Sequence, residues 1–491
     1  MRKFIAFIGA ILLALGLAIG ILYLQGKTIS DLFSNPTDTT DLPLLPQGES
    51  PEPERVPEVS LTYEEYMERG DVLFASGAYS AAIFEYVNAS QLEPEQLDPF
   101  LNLVEAHYNL RNYEKAKISI EAVLQRDPNN AAMRFKQILV MIKLSDFEAA
   151  QVLLSNLKAS EVINPQNLYY EGILLALFSD HDGATSKLST ARSNSTDSDL
   201  NQKIDRLLRA YETFGLAESA EDLYLKQLVA KAFNENEEYE MAIKLLKEVL
   251  RERSELRDGW VLLGFAYLNL ENYSFAFTAF EKAYTLDTTW SPTQYFLGIT
   301  HKELGNVDEA IVFFDAALNS GFEPRVVIQN HLADLYFDTQ DYQKAVEAYE
   351  AVLKVSYQDV NVFVRPVWLY NDYLNDPQSA LRLSQAAMEA FPESAMSYNL
   401  VGWSYINLED YKNAEAYLNR AIVLDPKLAA AHQNLGRLYE ARVMNDMALA
   451  SYKKAYELDK NGPIGSLAAE QYNTLLKKNL TQVSDEEGSQ N

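Results

Sequence analysis

Five histidines, His107, His181, His301, His331 and His432, are the side chains best suited to move a proton or ligate a metal, and none has a partner at usable spacing. No two of them stand three or four residues apart, as two ligands on one helix face must. The G-x-S-x-G turn that exposes a serine nucleophile, the glycine-rich loop that cradles phosphate and the H-E-x-x-H zinc helix are all absent. The chain has no cysteine, which excludes disulfides, thiolate metal sites and a cysteine nucleophile. Carboxylates are plentiful because the whole chain is acidic: 70 Asp and Glu against 42 Lys and Arg give a formal charge of -28. That surface repels phosphate backbones, so nucleic acid is not an expected partner. The residues point to no catalytic group, no cofactor and no metal, and the chain is read as a non-enzyme.

What the sequence repeats is packing. In "GWVLLGFAYLNLENYSFAFTAFEKAYTLD", Gly259 to Asp287, small residues recur among large apolar ones, and the arrangement returns with a period of 34 residues. Gly264 shares its slot with Gly70, Gly172, Ala230, Gly298, Ala333, Gly402 and Gly436. Twelve residues on, all eleven units carry alanine: Ala82, Ala116, Ala150, Ala184, Ala242, Ala276, Ala310, Ala345, Ala380, Ala414 and Ala448. A third small slot holds Ala89, Ala191, Ala283, Ala317, Ala387, Ala421 and Ala455. Two antiparallel helices approach closely only where the facing side chains are small, so each unit is predicted to be a helical hairpin. Pro94, Pro128, Pro392 and Pro426 share a later slot and stop the second helix.

Trp260, Leu263, Gly264, Tyr267, Ala276, Phe280 and Ala283 follow the pattern W-x2-L-G-x2-Y, A-x3-F, A, and the chain therefore resembles the tetratricopeptide repeat (TPR) family. The resemblance implies an all-α fold, an α-solenoid of about eleven TPR hairpins with units beginning at 63, 97, 131, 165, 223, 257, 291, 326, 361, 395 and 429. Repeats 1–4 then occupy 63–198 and repeats 5–11 occupy 223–462. Between them, 199–222 breaks the register with Leu200, Ile204, Leu207, Leu208 and Tyr211 at helical spacing, an inserted helix. The unit at 361 is degenerate, with Trp368 in the small slot and Pro366 and Pro377 within helix range, and a bend or hinge is expected there. Residues 463–480 read as a capping helix and 481–491 as a disordered tail.

Binding in this family is concentrated in a groove lined by first-helix positions two, five, nine, twelve and thirteen. Carried onto this chain, the resemblance implies an apolar and aromatic groove through Tyr108, Phe135, Tyr169, Tyr224, Phe265 and Tyr295. It becomes polar further on, where Arg365, Asn399 and Gln433 share one slot beside Trp403 and Arg437. An exposed strip of this kind is expected to take a peptide or a partner helix. The two-carboxylate clamp of the chaperone-binding members is missing.

Ahead of the repeats, Arg2 and Lys3 precede an uninterrupted apolar run, Phe4 to Leu24, whose 21 residues make a helix of about 31 Å. The first 28 residues are read as an uncleaved signal anchor or transmembrane helix, with a cleaved secretory signal as the alternative. The positive charge before the span places the rest outside the cytoplasm, in keeping with membrane-anchored TPR proteins of bacterial envelopes. Gly16 and Gly20 form a G-x-x-x-G at which two such helices could pair as a homodimer. Residues 29–60 are Pro-rich and read as a flexible linker. Expected partners are proteins or peptides and, through the first helix, the membrane; the expected role is a tethered scaffold, or a targeting subunit for a cell-wall, polysaccharide or secretion enzyme.

Overall fold

The structure is a computed structural model that describes residues 61–157, 164–216, 221–354 and 359–488. Among the described residues there are 24 α-helices and no strands. The first hairpins pair α1 (Tyr63–Ala75) with α2 (Tyr79–Leu92), α3 (Asp98–Asn109) with α4 (Tyr113–Arg126), α5 (Ala131–Lys143) with α6 (Phe147–Ser155), and α7 (Pro165–Leu177) with α8 (His181–Asn194). A single helix, α9 (Ser198–Gly215), follows; it packs on its neighbours through Ile204, Leu207 and Ala210. Then come α10 (Asp222–Glu235) with α11 (Tyr239–Glu252), α12 (Arg257–Asn269) with α13 (Tyr273–Leu286), α14 (Ser291–Glu303) with α15 (Val307–Asn319), and α16 (Arg325–Asp338) with α17 (Tyr342–Leu353). After the short α18 (Val364–Trp368), α19 (Pro377–Ala390) leads to α20 (Ala395–Asn407) with α21 (Tyr411–Leu424), α22 (Ala429–Ala441) with α23 (Asn445–Leu458), and the terminal α24 (Pro463–Gly488).

The small slots are where the paired helices touch. All eleven alanines of the invariant slot are fully buried. A β-carbon added to Gly264 would stand 2.6 Å from Phe280, and one on Gly436 2.5 Å from the Tyr452 ring, closer than such atoms pack. Each glycine is therefore the space into which the aromatic or aliphatic residue of the second helix fits.

The turn between the two helices carries a second regularity. At the fifteenth position of every unit the backbone is left-handed: Gly77, Arg111, Ser145, Ser179, Glu237, Glu271, Gly305, Gln340, Asn375, Glu409 and Val443 all have positive φ. In the second unit the Arg111 amide bonds back to the Tyr108 carbonyl at 3.0 Å and the Asn112 amide to the His107 carbonyl at 2.9 Å. This is the Schellman closure of a helix C-terminus. The next residue then opens the second helix: Asn112, Asp146, Asp180, Asp341, Asp376 and Asp410 each accept a hydrogen bond from the amide three residues on. One helix is closed and the next begun within two residues, which is what holds the hairpin tight.

The described chain falls into two compact units. The first holds residues up to Thr289 together with Ile299–Gly305; the second holds Trp290–Gly298 and the chain from Asn306 onward. In the second unit the segment at 361 departs from the repeat. A 3₁₀ turn, Val360–Phe363, precedes α18, and a π-turn, Leu369–Tyr373, follows it. Winding tighter and then looser than an α-helix rotates the buried face. Val367 and Leu369 are fully buried and Trp368 is not: it leaves the small slot expected of it and packs against Phe337 and Tyr373, at 5.4 and 5.0 Å between centroids. Pro377 does not break a helix either; it starts α19, where its missing N–H costs nothing.

The terminal helix buries Leu475 against Tyr439 and Tyr452. It continues through Gly488 rather than ending at 480, because extending a helix already nucleated is far easier than starting one. No described helix is long and apolar enough to cross a membrane. The segment read as an anchor, with Gly16 and Gly20, and the Pro-rich linker lie outside the described residues.

Candidate partner-binding surface

In the first unit the residues expected to line an open groove are in contact with their own chain. Tyr108 is half-buried, with the Lys136 ammonium 4.2 Å above its ring and Tyr113 against its edge; burial pushes its hydroxyl up to about 12. Phe135 meets Tyr170 edge-on at 5.6 Å. Tyr169 is buried, and its hydroxyl accepts a 3.3 Å hydrogen bond from Asn236. Phe265 is buried against Tyr239, and Tyr224 is half-buried. The expectation of an exposed apolar strip is therefore corrected for this unit. The physical reason is that α11 lies against α5 and α7, helices of repeats 3 and 4, so that later repeats cover earlier ones.

That junction is held by charge. Lys143 Nζ stands 3.0 Å from Glu240 Oε2 with both side chains largely withdrawn from water. Glu238, also buried, lies beside the Tyr170 hydroxyl, which favours its ionised form. Burial pushes the Glu238 carboxyl up, against the opposing pull of Lys143 and Lys203. For Lys143 burial alone would favour the neutral amine, but Glu240 and Glu238 outweigh it and hold the ammonium above its ordinary range. At the edges Arg111 pairs with Glu271 at 3.1 Å, and Lys244 reaches Glu148 at 3.5 Å while lying over Phe178. None of these partners was read from the sequence, since pairs 97 residues apart leave no periodic signal.

In the second unit the expected polar ladder is bonded sideways rather than left open. Tyr295 is buried and stacks on Phe322 at 4.5 Å. Arg365 pairs with Asp334 and donates to the Tyr349 hydroxyl at 2.6 Å. Asn399 is buried and accepts from Asn434 at 3.0 Å, and Gln433, also buried, donates to Gln471 of α24 at 2.9 Å. These three do not form a free surface, and the groove reading is corrected there too: each has a polar group matched by a residue of a neighbouring helix.

Trp403 and Arg437 are different. The Arg437 guanidinium lies 5.6 Å above the Trp403 ring and 3.4 Å from Asp372, at about a quarter exposure. The Trp403 indole N–H and the Asn407 amide nitrogen, one turn apart on α20, have no hydrogen-bond partner among the described residues. Nor does the buried Asn371 carbonyl, beside Asp372 in the π-turn. Asp372, at the twelfth position of the same unit as Arg365, was not among the residues expected to line the groove.

The histidines are absorbed by packing. His331 stacks on Phe314 at 5.1 Å and His301 meets Phe277 edge-on. His181 sits between Tyr211 and Asp222, and His432 bonds to the Pro426 carbonyl at 3.1 Å. Burial, with Lys115 nearby, lowers the pKa of His107. Among the described residues no three His, Asp or Glu side chains are placed to hold a metal ion.

Comparison with known proteins agrees with this architecture. One tetratricopeptide-repeat profile matches residues 73–134, and a second matches 258–289, 327–359, 395–428 and 429–461. A TPR repeat-containing protein of Methanocaldococcus jannaschii is 21% identical over 450 residues, 82% of this chain and 77% of that protein. An anaphase-promoting complex subunit of Saccharomyces cerevisiae is 27% identical over 123 residues, 25% of this chain and 14% of the subunit. Among solved structures, the C-terminal part of a TPR repeat-containing protein from Cytophaga hutchinsonii aligns with TM-score 0.40 at 17% identity, over 49% of this chain and 97% of that one. Tetratricopeptide repeats are thus found at 73–134, 258–289, 327–359, 395–428 and 429–461, and the buried alanines of the same 34-residue period recur in the helical hairpins between them.

Proposed function

We propose that the protein is a scaffold that holds other proteins, and that its contact site lies on the second unit around Trp403, Arg437, Asp372 and Asn407. The observation that carries this reading is a partly exposed arginine stacked on a tryptophan ring, with Asp372 beside it. Tryptophan and arginine dominate the energetics of protein contacts. Relatives named as TPR proteins and as a subunit of a multiprotein complex support the class of function.

The scaffold works at a membrane in this reading, tethered by Phe4–Leu24 with the repeats outside the cytoplasm in a bacterial envelope; what supports this is the order of charge and apolar run at residues 2–24. A tether confines the search for partners to the membrane surface and raises their effective concentration. The test is cross-linking in cells with the full chain, followed by purification and mass spectrometry, beside a Trp403→Phe, Arg437→Gln copy. That pair removes the indole donor and the charge while keeping the ring's packing against Val367 and Leu400. A partner present with the native chain and lost with the variant supports the site. An unchanged set of partners removes it, and recovery of the full chain in the soluble fraction, or of a chain lacking residues 1–28 still with the membranes, overturns the anchor.

A further inference from the structure

Within the first unit, the α10–α11 corner behaves as a ligand bound to the repeats before it. The corner reads "NEEYE", Asn236 to Glu240, and turns through the left-handed Glu237. Its side chains meet a surface made by repeats 2 to 4. Glu240 pairs with Lys143, Glu238 lies beside the Tyr170 hydroxyl, and Asn236 donates to Tyr169. The receiving surface is aromatic and basic, with Tyr108, Tyr113 and Lys143 at its centre and Arg111 at its edge. The occupant is acidic with one aromatic ring, Tyr239. Beside them a cleft of about 410 Å³ remains, walled by Arg111, Tyr113, Lys143 and Ser145 on one side and by Glu240 and Lys247 on the other.

We propose that this aromatic–basic surface of repeats 2 to 4 is a docking site for acidic, tyrosine-containing segments, and that the chain's own Asn236–Glu240 corner fills it until such a segment displaces it. Charge complementarity favours it: this surface is basic in a chain of net charge -28. Cations withdrawn from water must be matched, and here the match comes from two carboxylates separated by one residue where α10 turns into α11. A partner offering the same spacing meets the same groups. Because the corner is covalently attached, its effective concentration is high, and an outside segment gains access only when the corner is weakened. This inference concerns the first unit and stands apart from the Trp403 site.

The absence of cysteine makes the test direct. Ser145→Cys and Lys247→Cys, both exposed and both on the cleft walls, accept two spin labels that report the separation of repeat 3 from α11. The probe is a synthetic peptide spanning residues 234–246. In the labelled native chain one short distance and no measurable peptide binding are expected. With Glu238→Gln and Glu240→Gln the distance is expected to lengthen and the peptide to bind at least about tenfold more tightly. Labels that do not move in this variant overturn the clasp; labels that move without peptide binding overturn the docking site. Lys143→Gln loosens the clasp from the opposite side and keeps the corner's carboxylates. There the labels are expected to move and the peptide to stay unbound, whereas binding equal to that of the double glutamine variant overturns recognition by charge.

Discussion

Lys143 and Glu240 are 97 residues apart and their charged atoms 3.0 Å apart. The contact joins α5 of repeat 3 to α11 of repeat 5, past repeat 4 and the inserted helix, where a linear array is held mainly by contacts between neighbours. Both side chains are largely buried, so the pair cannot be removed by halves. Lys143→Met leaves Glu240 unpaired in a place that water hardly reaches, and is expected to destabilise the first unit by about 3 kcal/mol. Lys143→Met with Glu240→Leu removes both charges and is expected to recover most of that loss. Hydrogen exchange at the amides of α5 and α11 reads the effect locally, with roughly a hundredfold faster exchange in the single variant. Equal exchange in the native chain and the single variant would show that the pair contributes nothing.

The glycine slot gives a second prediction, and one in which two effects oppose. Alanine in a helix interior is favoured over glycine by about 1 kcal/mol. At Gly264, however, the new β-carbon would stand 2.6 Å from the Phe280 ring, which is fully buried and has nowhere to go. Overpacking of that kind costs roughly 1–3 kcal/mol and wins. Gly264→Ala is expected to lower the urea midpoint, and Gly264→Ala with Phe280→Leu to restore part of it. A rise in the midpoint for the single variant would mean that α12 and α13 separate without strain.

The repeat was legible because its signal is steric and local. Eleven alanines at one slot are buried to a man, and the period they mark fixed the helices that flank them. The left-handed turn residue was not legible, although it is just as regular, because only Gly77, Gly305 and Asn375 betray it by residue type. Arg111, Glu271 and Val443 accept that conformation under the hairpin's constraint, and nothing in their chemistry announces it. The candidate site was legible in part. Trp403 and Arg437 stand in the positions assigned to a groove and do stack together, while Tyr169, Phe265, Tyr295, Asn399 and Gln433 fill such positions and are buried. Period alone locates a side chain on a helix face; whether another helix covers that face depends on contacts such as Lys143–Glu240 that no period encodes.

Val443 yields a third prediction. It is a β-branched residue at φ 59°, a conformation that costs an L-residue roughly 1–2 kcal/mol. Its side chain is 79% exposed, so little packing is lost with it. Glycine removes the strain but frees the unfolded chain, which returns some tenths of a kcal/mol. Val443→Gly is expected to stabilise the α22–α23 hairpin by about 1 kcal/mol on balance. Thermal unfolding measured against the native chain decides it; a lower melting temperature would show that the turn is not strained by its side chain.

The fourth prediction follows from Glu238, whose carboxyl is pushed above its ordinary 4.5 by burial. The charged groups around it are Lys143 on α5, Lys203 on α9 and Glu240 on α11, with the Tyr170 hydroxyl beside it from α7. Well below 4.5 the carboxyl is protonated whether the chain is folded or not, and it makes no difference to stability. As pH rises past that value the unfolded chain releases its proton first, so the folded state loses ground until the buried carboxyl also ionises. Glu238 therefore opposes folding at neutral pH and does so least in acid. Glu238→Gln removes this contribution, since an amide does not titrate. Urea unfolding of the first unit at a series of pH values from 4 to 8 is expected to show that the variant's advantage over the native chain grows with pH through the region just above about 4.5 and then levels off. A constant difference across the series would mean that the carboxyl ionises alike in both states, and that Lys143 and Lys203 compensate its burial in full.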